Sequence, residues 1–328
     1  MTTTTQGFVA PTYFGISPLL IFPGALGQFS VYLRQQDGYV LYTSKGERFT
    51  QKHRKKLYDN GVAQVYIEAE ERPEFERYVE ENLGTILDDE DLPREERSKV
   101  LYTASAGILE ETFEAKLPEA IKSRHFERVS NLVKQSIGFL SDDRSLKTLA
   151  PFISHDYRTY THCLQVFIYT ISILNTYKVS DETLFHCGMG AMLHDLGKTK
   201  IPVNIINKPG PLDDKEREVI NTHPVQGVSL CAGMPLSQES LNCILFHHEN
   251  MDGSGYPSGL KGEAIPLPVR VITACDVYDA LTSDRPYARG RTPFEALKLM
   301  RNKMEKAFDL DVFKRLVTTL SGADIQVG

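Results

Sequence analysis

Residues 247–257 read His247-His-Glu-Asn-Met-Asp-Gly-Ser-Gly-Tyr-Pro257, two adjacent histidines followed by a glycine-rich loop. The apolar pattern before this segment predicts a helix over 237–249, so both histidines lie at a helix end. Two imidazoles there supply two metal ligands, or one ligand and one supporting residue. The loop has two interpretations: Tyr256 contacts a bound molecule by stacking or hydrogen bonding, or the loop is a rigid connection that positions the histidines.

Histidines are concentrated in the same part of the chain. Seven of the nine lie between positions 155 and 248, namely His155, His162, His186, His194, His223, His247 and His248. A single histidine on an apolar face is usually a packed core residue, whereas several beside carboxylates in one helical domain predict a metal site. Imidazole and carboxylate together suit Zn, Fe, Mn or Ni better than Ca or Mg. We interpret His155 and His186 as structural residues.

Two carboxylates accompany these histidines. His194-Asp195 closes another predicted helix, and adjacent helical residues point about 100° apart, so both reach one metal only near the helix end. A carboxylate in that place can bridge two ions, which imidazole cannot. Asp276 lies in an apolar helix, where an unpaired carboxylate is costly and requires a cation or several donors. Asp279, one turn further on, reads as a capping or surface residue.

The second half of the chain predicts an all-helical domain over residues 144–328. Pro- and Gly-rich connections separate helices predicted over 158–177, 181–195, 213–233, 237–249, 268–283 and 293–306.

The first 143 residues predict two further segments. Residues 1–91 predict a small α/β domain with a regulatory or dimerising role, in which strands at 30–34 and 39–43 flank the hairpin signal Asp37-Gly38. Residues 92–143 predict a helical linker with one apolar stripe. We interpret that stripe first as packing against the next domain and second as a homodimer contact. The fold class is therefore mainly α, with a small α/β domain and a helical linker before the helical domain.

The amino-acid composition argues against several classes of protein. The 328 residues are 41% hydrophobic and 24% charged, close to the globular average, which argues against a collagen or a wholly disordered chain. Five cysteines without a C-x-x-C pair argue against a disulfide framework. The net charge of −6 predicts no DNA binding. No apolar run reaches the roughly 18 residues of a membrane span, and no signal peptide is evident, so we expect a cytoplasmic protein without membrane contact.

The order of these residues resembles the HD superfamily of metal-dependent phosphohydrolases. Residues 247–257 fit the signature H-H-E-x-x-D-G-x-G-Y-P of its HD-GYP branch at every specified position. Supporting segments are His194-Asp-Leu-Gly-Lys198, Lys208-Pro-Gly-Pro-Leu212, His223-Pro224 and Asp284-Arg-Pro-Tyr287. The resemblance covers residues 144 to 310 and implies the helical HD-type fold for this part of the chain.

The resemblance also implies a dinuclear metal site. One ion would take His162, His194, Asp195 and Asp276, and the other would take Asp195, His223, His247 and His248. Fe or Mn is expected from the family, and the donor set also suits Zn or Ni. A third ion in some members relies on a glutamate four residues before the first ligand histidine. Arg158 stands at that position, so we expect two ions.

The activity implied by the resemblance is hydrolysis of cyclic-di-GMP to pGpG, GMP or both, through a metal-bridging hydroxide. Asp195 and Lys198 are the expected catalytic residues, and Lys198, Tyr256, Arg285 and Arg289 are the expected substrate contacts. Two alternatives remain. The domain is a signalling module that binds a dinucleotide or a protein without turnover, or it hydrolyses another cyclic nucleotide such as cyclic GMP-AMP. A diguanylate cyclase or other signalling protein is the partner considered for the Gly-Tyr-Pro loop.

Overall fold

The computed structural model describes residues 12–24, 27–35, 38–114, 119–153, 158–284 and 289–322, and the side chains of residues 119–122 are also outside the description. The chain divides into two compact units, Met1–Pro93 and Arg94–Gly328. None of the helices within the described ranges is long and apolar enough to span a membrane.

The first unit is a small α/β structure. Within its described part, four strands form one antiparallel sheet in the order β1-β4-β2-β3. The strands are β1 Tyr13–Ile16, β2 Val31–Gln35, β3 Gly38–Thr43 and β4 Val65–Glu68, and the helices are α1 Gln51–Asp59, α2 Arg72–Glu81 and α3 Leu83–Asp88.

Aromatic and aliphatic side chains fill the interior of this unit. Phe29 contacts Phe75 and Tyr78 edge-on, with ring centroids 5.4 Å apart in both pairs. The hydroxyl of Tyr78 accepts a hydrogen bond from the Phe22 amide at 2.9 Å. Val65 and Ile67 of the central strand β4 are fully buried, so the core lies between the sheet and α2.

The second unit is helical throughout its described residues. Its helices are α4 Arg94–Glu114, α5 Glu119–Leu140, α6 Ser145–Leu149, α7 Thr159–Asn175, α8 Asp181–Leu193, α9 Val203–Ile206, α10 Asp214–Ile220, α11 His223–Leu230, α12 Gln238–Phe246, α13 Leu267–Thr282, α14 Pro293–Lys303 and α15 Leu310–Gly322. A 3-10 turn, Leu196–Lys200, follows α8. Helix α7 lies at the centre and packs on α8 and α13, while α12 packs on α8. The ends of these central helices therefore meet at one place.

The predicted fold class is confirmed, with differences in several elements. The helix predicted over 213–233 is two helices, α10 and α11, because Pro224 lacks an amide hydrogen and restricts the residue before it. Strand β1 was not predicted, since its four residues include a glycine and are too few for a clear alternation.

Helices α4 and α5, predicted as a linker, belong to the second unit and pack on α7 and α8. Their role as a linker remains a prediction, as do the boundaries at 91 and 143. The turn residue Asp37 lies outside the described residues, although β2 and β3 pair as a hairpin requires.

Candidate metal centre

Helix ends bring the predicted ligands together inside the second unit. The predicted ligands are His162 in the first turn of α7, His194 and Asp195 just after α8, His223 at the start of α11, His247 and His248 just after α12, and Asp276 within α13. Six of these side chains are buried, and that of His248 is 25% exposed. Helix ends suit this purpose because the last residues of several helices can point into a common space.

The ligand atoms fall into two groups around Asp195. One group is His162, His194 and Asp276, and the other is Asp195, His223, His247 and His248; within each group the ligand atoms lie within 4.8 Å of one another. Asp195 Oδ1 lies 3.2 Å from His223 Nε2, while its Oδ2 lies 3.6 Å from Nε2 of both His162 and His194. The carboxylate thus presents one oxygen to each group, as a bridging ligand must.

Main-chain carbonyls fix the orientation of three histidines. His194, His223 and His247 each donate Nδ1–H to the carbonyl three residues earlier, at 2.7, 2.7 and 2.8 Å respectively. A carbonyl only accepts, so the hydrogen of each neutral ring is on Nδ1. The lone pair is then on Nε2, which faces the centre and is free to bind a metal.

The donor chemistry fits divalent cations. Nε2 of His223 lies 3.1 Å from Nε2 of His247, and Nε2 of His162 lies 3.3 Å from that of His194. With the hydrogens of His194, His223 and His247 on Nδ1, these contacts bring lone pairs face to face, which a cation relieves. Asp195 Oδ1 is also buried and has no hydrogen-bond partner among the described residues. Imidazole nitrogens and carboxylate oxygens in this ratio suit transition metals.

Burial keeps three of the histidines in their neutral, metal-binding form. Burial lowers the pKa of His194 and His247 below the usual histidine range, and neighbouring imidazoles lower the pKa of His247 further. Burial likewise lowers the pKa of His248 to about 3, although Asp276 opposes the shift. All three rings are therefore neutral near pH 7.

The carboxylates remain ionised in spite of burial. Burial alone raises the pKa of Asp195, but Lys198, His194 and His223 outweigh it and hold the pKa well below its ordinary value. For Asp276, burial is outweighed by the neighbouring rings of His162, His248 and His194, so its pKa is also lowered. Both groups are thus anionic at neutral pH and able to bind cations.

Asp279 is a member of the site that the sequence analysis misread. It is fully buried, and its Oδ2 accepts the Nδ1–H of His162 at 2.7 Å. Burial raises the pKa of this carboxyl group. The signal that could have identified it is its spacing of three residues from Asp276, which places both aspartates on the same face of α13.

The four predicted substrate contacts differ in where they lie relative to the cluster. Lys198 Nζ lies 2.5 Å from Asp195 Oδ2, at the edge of the cluster. The ring of Tyr256 stacks on the ligand His248, with centroids 4.7 Å apart. Arg289 is exposed, and Arg285 lies outside the described residues. The first two are thus at the cluster, and the roles of all four remain predictions.

Glu249 holds the loop that contains Tyr256. Its buried carboxylate accepts hydrogen bonds from the amides of Ser258 and Leu260, at 2.7 and 3.0 Å. Gly255 permits the loop to return to the histidines, since a Cβ atom there would lie only 2.4 Å from the His248 carbonyl oxygen. These contacts keep Tyr256 against His248.

Other histidines and Arg158 lie apart from the metal ligands. His186 approaches Glu182 at 3.9 Å on α8, and His155 lies outside the described residues. The Arg158 guanidinium donates to the Tyr160 hydroxyl at 3.1 Å and lies 3.8 Å from Glu110. A guanidinium cannot act as a metal ligand, so the expectation of two ions stands as a prediction.

Comparison with known proteins identifies relatives of the helical unit. Residues 146–312, just over half of the chain, match the HD domain family. Cyclic di-GMP phosphodiesterase PA4108 of Pseudomonas aeruginosa is 35% identical over 216 residues, 65% of this chain and 51% of the relative. Cyclic di-GMP phosphodiesterase response regulator RpfG of Xanthomonas campestris is 42% identical over 133 residues, 40% of this chain and 35% of the relative.

One further relative and one solved structure are also similar to this chain. The 3′3′-cGAMP-specific phosphodiesterase 3 of Vibrio cholerae is 32% identical over 160 residues, 49% of this chain and 35% of the relative. The solved structure of Bd1817, a HDG"Y"P protein from Bdellovibrio bacteriovorus, aligns with a TM-score of 0.65 over 94% of this chain and all of that chain, at 20% identity. This alignment supports the fold alone.

The chain spans about half or less of the length of these curated relatives. Within that span, the matched residues 146–312 include every ligand of the cluster, from His162 to Asp276. The signature at 247–257 lies in the same range. The chain belongs to the HD domain family, in its HD-GYP branch.

Proposed function

We propose that this protein is a metal-dependent phosphodiesterase that hydrolyses cyclic-di-GMP to pGpG, GMP or both. The observation that carries the proposal is the position of the Asp195 carboxylate between two groups of imidazoles. That arrangement would suit two divalent ions, as in other dinuclear hydrolases of phosphate esters. The relatives named as cyclic-di-GMP phosphodiesterases support the choice of substrate.

The metal pair would supply the chemistry that the side chains lack. When bound, two divalent ions lower the pKa of water and neutralise charge on the non-bridging phosphate oxygens. His162, His194 and Asp276 would hold one ion, and His223, His247 and His248 the other, with Asp195 shared. Fe or Mn is the proposed metal, and Zn or Ni also suits the donor set.

Lys198 is the proposed proton donor or phosphate contact. It follows Asp195 by one helical turn, and its side chain is 16% exposed, so the ammonium group lies between the buried cluster and solvent. An ammonium in that position attracts an anionic phosphodiester, and it can deliver a proton to the departing ribose 3′ oxygen. Arg285 and Arg289 are the proposed further phosphate contacts.

Tyr256, which is half-buried, is proposed as a substrate contact. One face of its ring already stacks on His248. The other is proposed to stack on a guanine. A protein partner at this loop and a homodimer remain predictions, as does a cytoplasmic location.

A second candidate substrate is cyclic GMP-AMP. The relative from Vibrio cholerae named as 3′3′-cGAMP-specific favours it. Both dinucleotides present the same phosphodiester to the metal site, so selection between them would depend on contacts to the bases.

The test is turnover of cyclic-di-GMP by protein purified without oxygen and loaded separately with Mn²⁺ or Fe²⁺. Products are separated by chromatography, and bound metal is counted per chain. We expect pGpG or GMP with about two ions bound. Asp195→Ala should remain folded and lose both metal and activity, by at least about 100-fold, since it removes the shared ligand. Asp311→Ala, at an exposed carboxylate on α15, is the matched control.

Three outcomes count against the proposal. Full turnover in Asp195→Ala contradicts the metal-based mechanism. Cleavage of cyclic GMP-AMP but not of cyclic-di-GMP replaces the substrate. Two bound ions without hydrolysis of either dinucleotide favour the binding module considered above.

A further inference from the structure

One ligand histidine differs from the others in what holds its second ring nitrogen. His194, His223 and His247 donate Nδ1–H to main-chain carbonyls. His162 donates instead to the carboxylate of Asp279, at 2.7 Å. A carboxylate partner makes an imidazole a stronger ligand than a carbonyl partner does, and it fixes the ring more firmly.

Asp279 has few other interactions that would explain its burial. The described residues supply one further hydrogen bond, from the Ser283 hydroxyl to the same Oδ2 at 3.3 Å, and leave Oδ1 buried without a partner. Burying an ionised carboxylate costs several kcal/mol unless charge of opposite sign compensates it. A cation bound beyond His162 would supply this compensation through the imidazole ring.

The charges of the cluster support the same conclusion. Asp195, Asp276 and Asp279 present three buried carboxylates, while Lys198 presents one ammonium group. Two of the three carboxylates act on the group that contains His162, since Asp276 Oδ1 lies 3.0 Å from His162 Nε2 and Asp279 holds Nδ1 of the same ring. That group is the more strongly anionic part of the cluster.

The other group is held less firmly. The side chain of His248 is 25% exposed, and its Nδ1 lies 3.6 Å from Asp276 Oδ2, beyond hydrogen-bond distance. Its ring is restrained by stacking against Tyr256, at 4.7 Å between centroids. Stacking restricts a ring less in direction than a hydrogen bond does, so this ligand has more freedom to move.

We propose that Asp279 is a positioning residue that makes the His162–His194–Asp276 group the tighter of the two metal positions, so that the two ions bind in a fixed order. The proposal rests on the metal centre of the proposed function and adds an order of loading. The first ion fills the group backed by Asp279. The second ion then binds to His223, His247 and His248.

The experiment is titration of the metal-free protein with Mn²⁺ by calorimetry, with bound metal counted after gel filtration. The wild-type protein is expected to show two steps with dissociation constants at least about 10-fold apart. Asp279→Asn keeps the shape of the side chain and removes its charge. It should weaken binding in the tighter step about 10- to 100-fold and leave the dissociation constant of the second step unchanged. Asp311→Asn should change neither step. Unchanged binding in Asp279→Asn overturns the proposal.

A second pair of variants tests the order independently of how Asp279→Asn folds. His194→Ala removes a ligand of the tighter group, and His223→Ala removes one of the other group. Only His194→Ala should abolish the tighter step. Equal effects of the two variants, or loss of the tighter step in His223→Ala alone, overturn the proposal. No nucleotide is present, so failure of cyclic-di-GMP hydrolysis would leave these results intact.

Discussion

The two units of the chain bury different chemistry. The α/β unit encloses aromatic and aliphatic side chains, such as Phe29 and Val65, and its buried tyrosine hydroxyl is paired with a main-chain amide. The helical unit encloses carboxylates and imidazoles at the meeting point of its helices. The first interior is stable by exclusion of water alone, whereas the second contains charge that a bound cation offsets.

This difference indicates which unit a bound metal stabilises against unfolding. Ions that bind the helical unit only when it is folded stabilise that unit by mass action. The α/β unit presents no comparable cluster among its described residues. The two units should therefore respond differently to metal, to pH and to substitutions.

The largest expected effect comes from Gly197→Ala. A Cβ atom at residue 197 would lie 1.9 Å from the His223 carbonyl oxygen and 2.5 Å from the Gly227 amide nitrogen, and main-chain atoms cannot easily withdraw. We expect a loss of about 3 kcal/mol in unfolding free energy, and weaker Mn²⁺ binding because His223 is displaced. Denaturant unfolding and metal titration measure both.

Gly107→Ala is the matched control for that substitution. Gly107 lies on α4, and a Cβ atom there meets no other atom within 4 Å. This variant should be unchanged or more stable by up to about 1 kcal/mol. Equal destabilisation by the two alanines would refute the steric argument.

Hydrogen exchange of the full chain should distinguish the two units directly. At a free Mn²⁺ concentration of 100 times the dissociation constant, binding contributes about 2.7 kcal/mol. Slowly exchanging amides of α7, α8 and α13 should slow by up to about 100-fold, while those of β2 and β4 should not change. Mass spectrometry measures the exchange. Equal slowing in both units would mean that they unfold together, and the two units would then not differ in their response to metal.

The pH dependence of the metal-free protein should come mainly from the helical unit. His248 has a folded pKa of about 3 and an unfolded pKa of about 6.5, so below pH 6.5 the unfolded chain binds the proton and the folded chain does not. Stability therefore falls as the pH is lowered from 7 toward 5. His248→Gln should reduce that slope by at most about 1.4 kcal/mol per pH unit, measured by urea unfolding. A steeper or unchanged slope in this variant would contradict the assignment.

The smallest expected effect concerns the α/β unit. Tyr78→Phe removes the hydroxyl that accepts the Phe22 amide, and we expect a loss of about 1 kcal/mol in unfolding free energy. Affinity for Mn²⁺ should stay the same. A change in affinity would show that the units are coupled, and calorimetry on the wild-type and variant proteins makes the comparison.

A candidate ligand set could be derived from the sequence because ligand chemistry leaves a pattern along the chain. Histidines beside carboxylates at predicted helix ends located His194, Asp195, His223, His247 and His248, and the structure brings these residues together. The sequence could not predict the hydrogen bonds that orient these side chains. Those depend on how a helix ends, as for the Ile220 and Ile244 carbonyls, and on which helix faces which.

Asp279 shows why a buried polar residue is hard to recognise in a sequence. Near a helix end, an aspartate usually faces solvent, and only the packing of α13 on α7 places this one against His162. Strand β1 was missed for a related reason: its pairing with β4, 52 residues later, is a contact that no local pattern records.

The main-chain carbonyls that orient His194, His223 and His247 also affect how this site can change in evolution. Every amino acid has such a carbonyl, so no single substitution at Ala191, Ile220 or Ile244 deletes the acceptor. The orientation of these three histidines thus depends on main-chain atoms, which no substitution removes. His162 depends on a side chain that one base change can replace. Of these four hydrogen bonds, only the one from His162 loses its acceptor through a substitution, at codon 279.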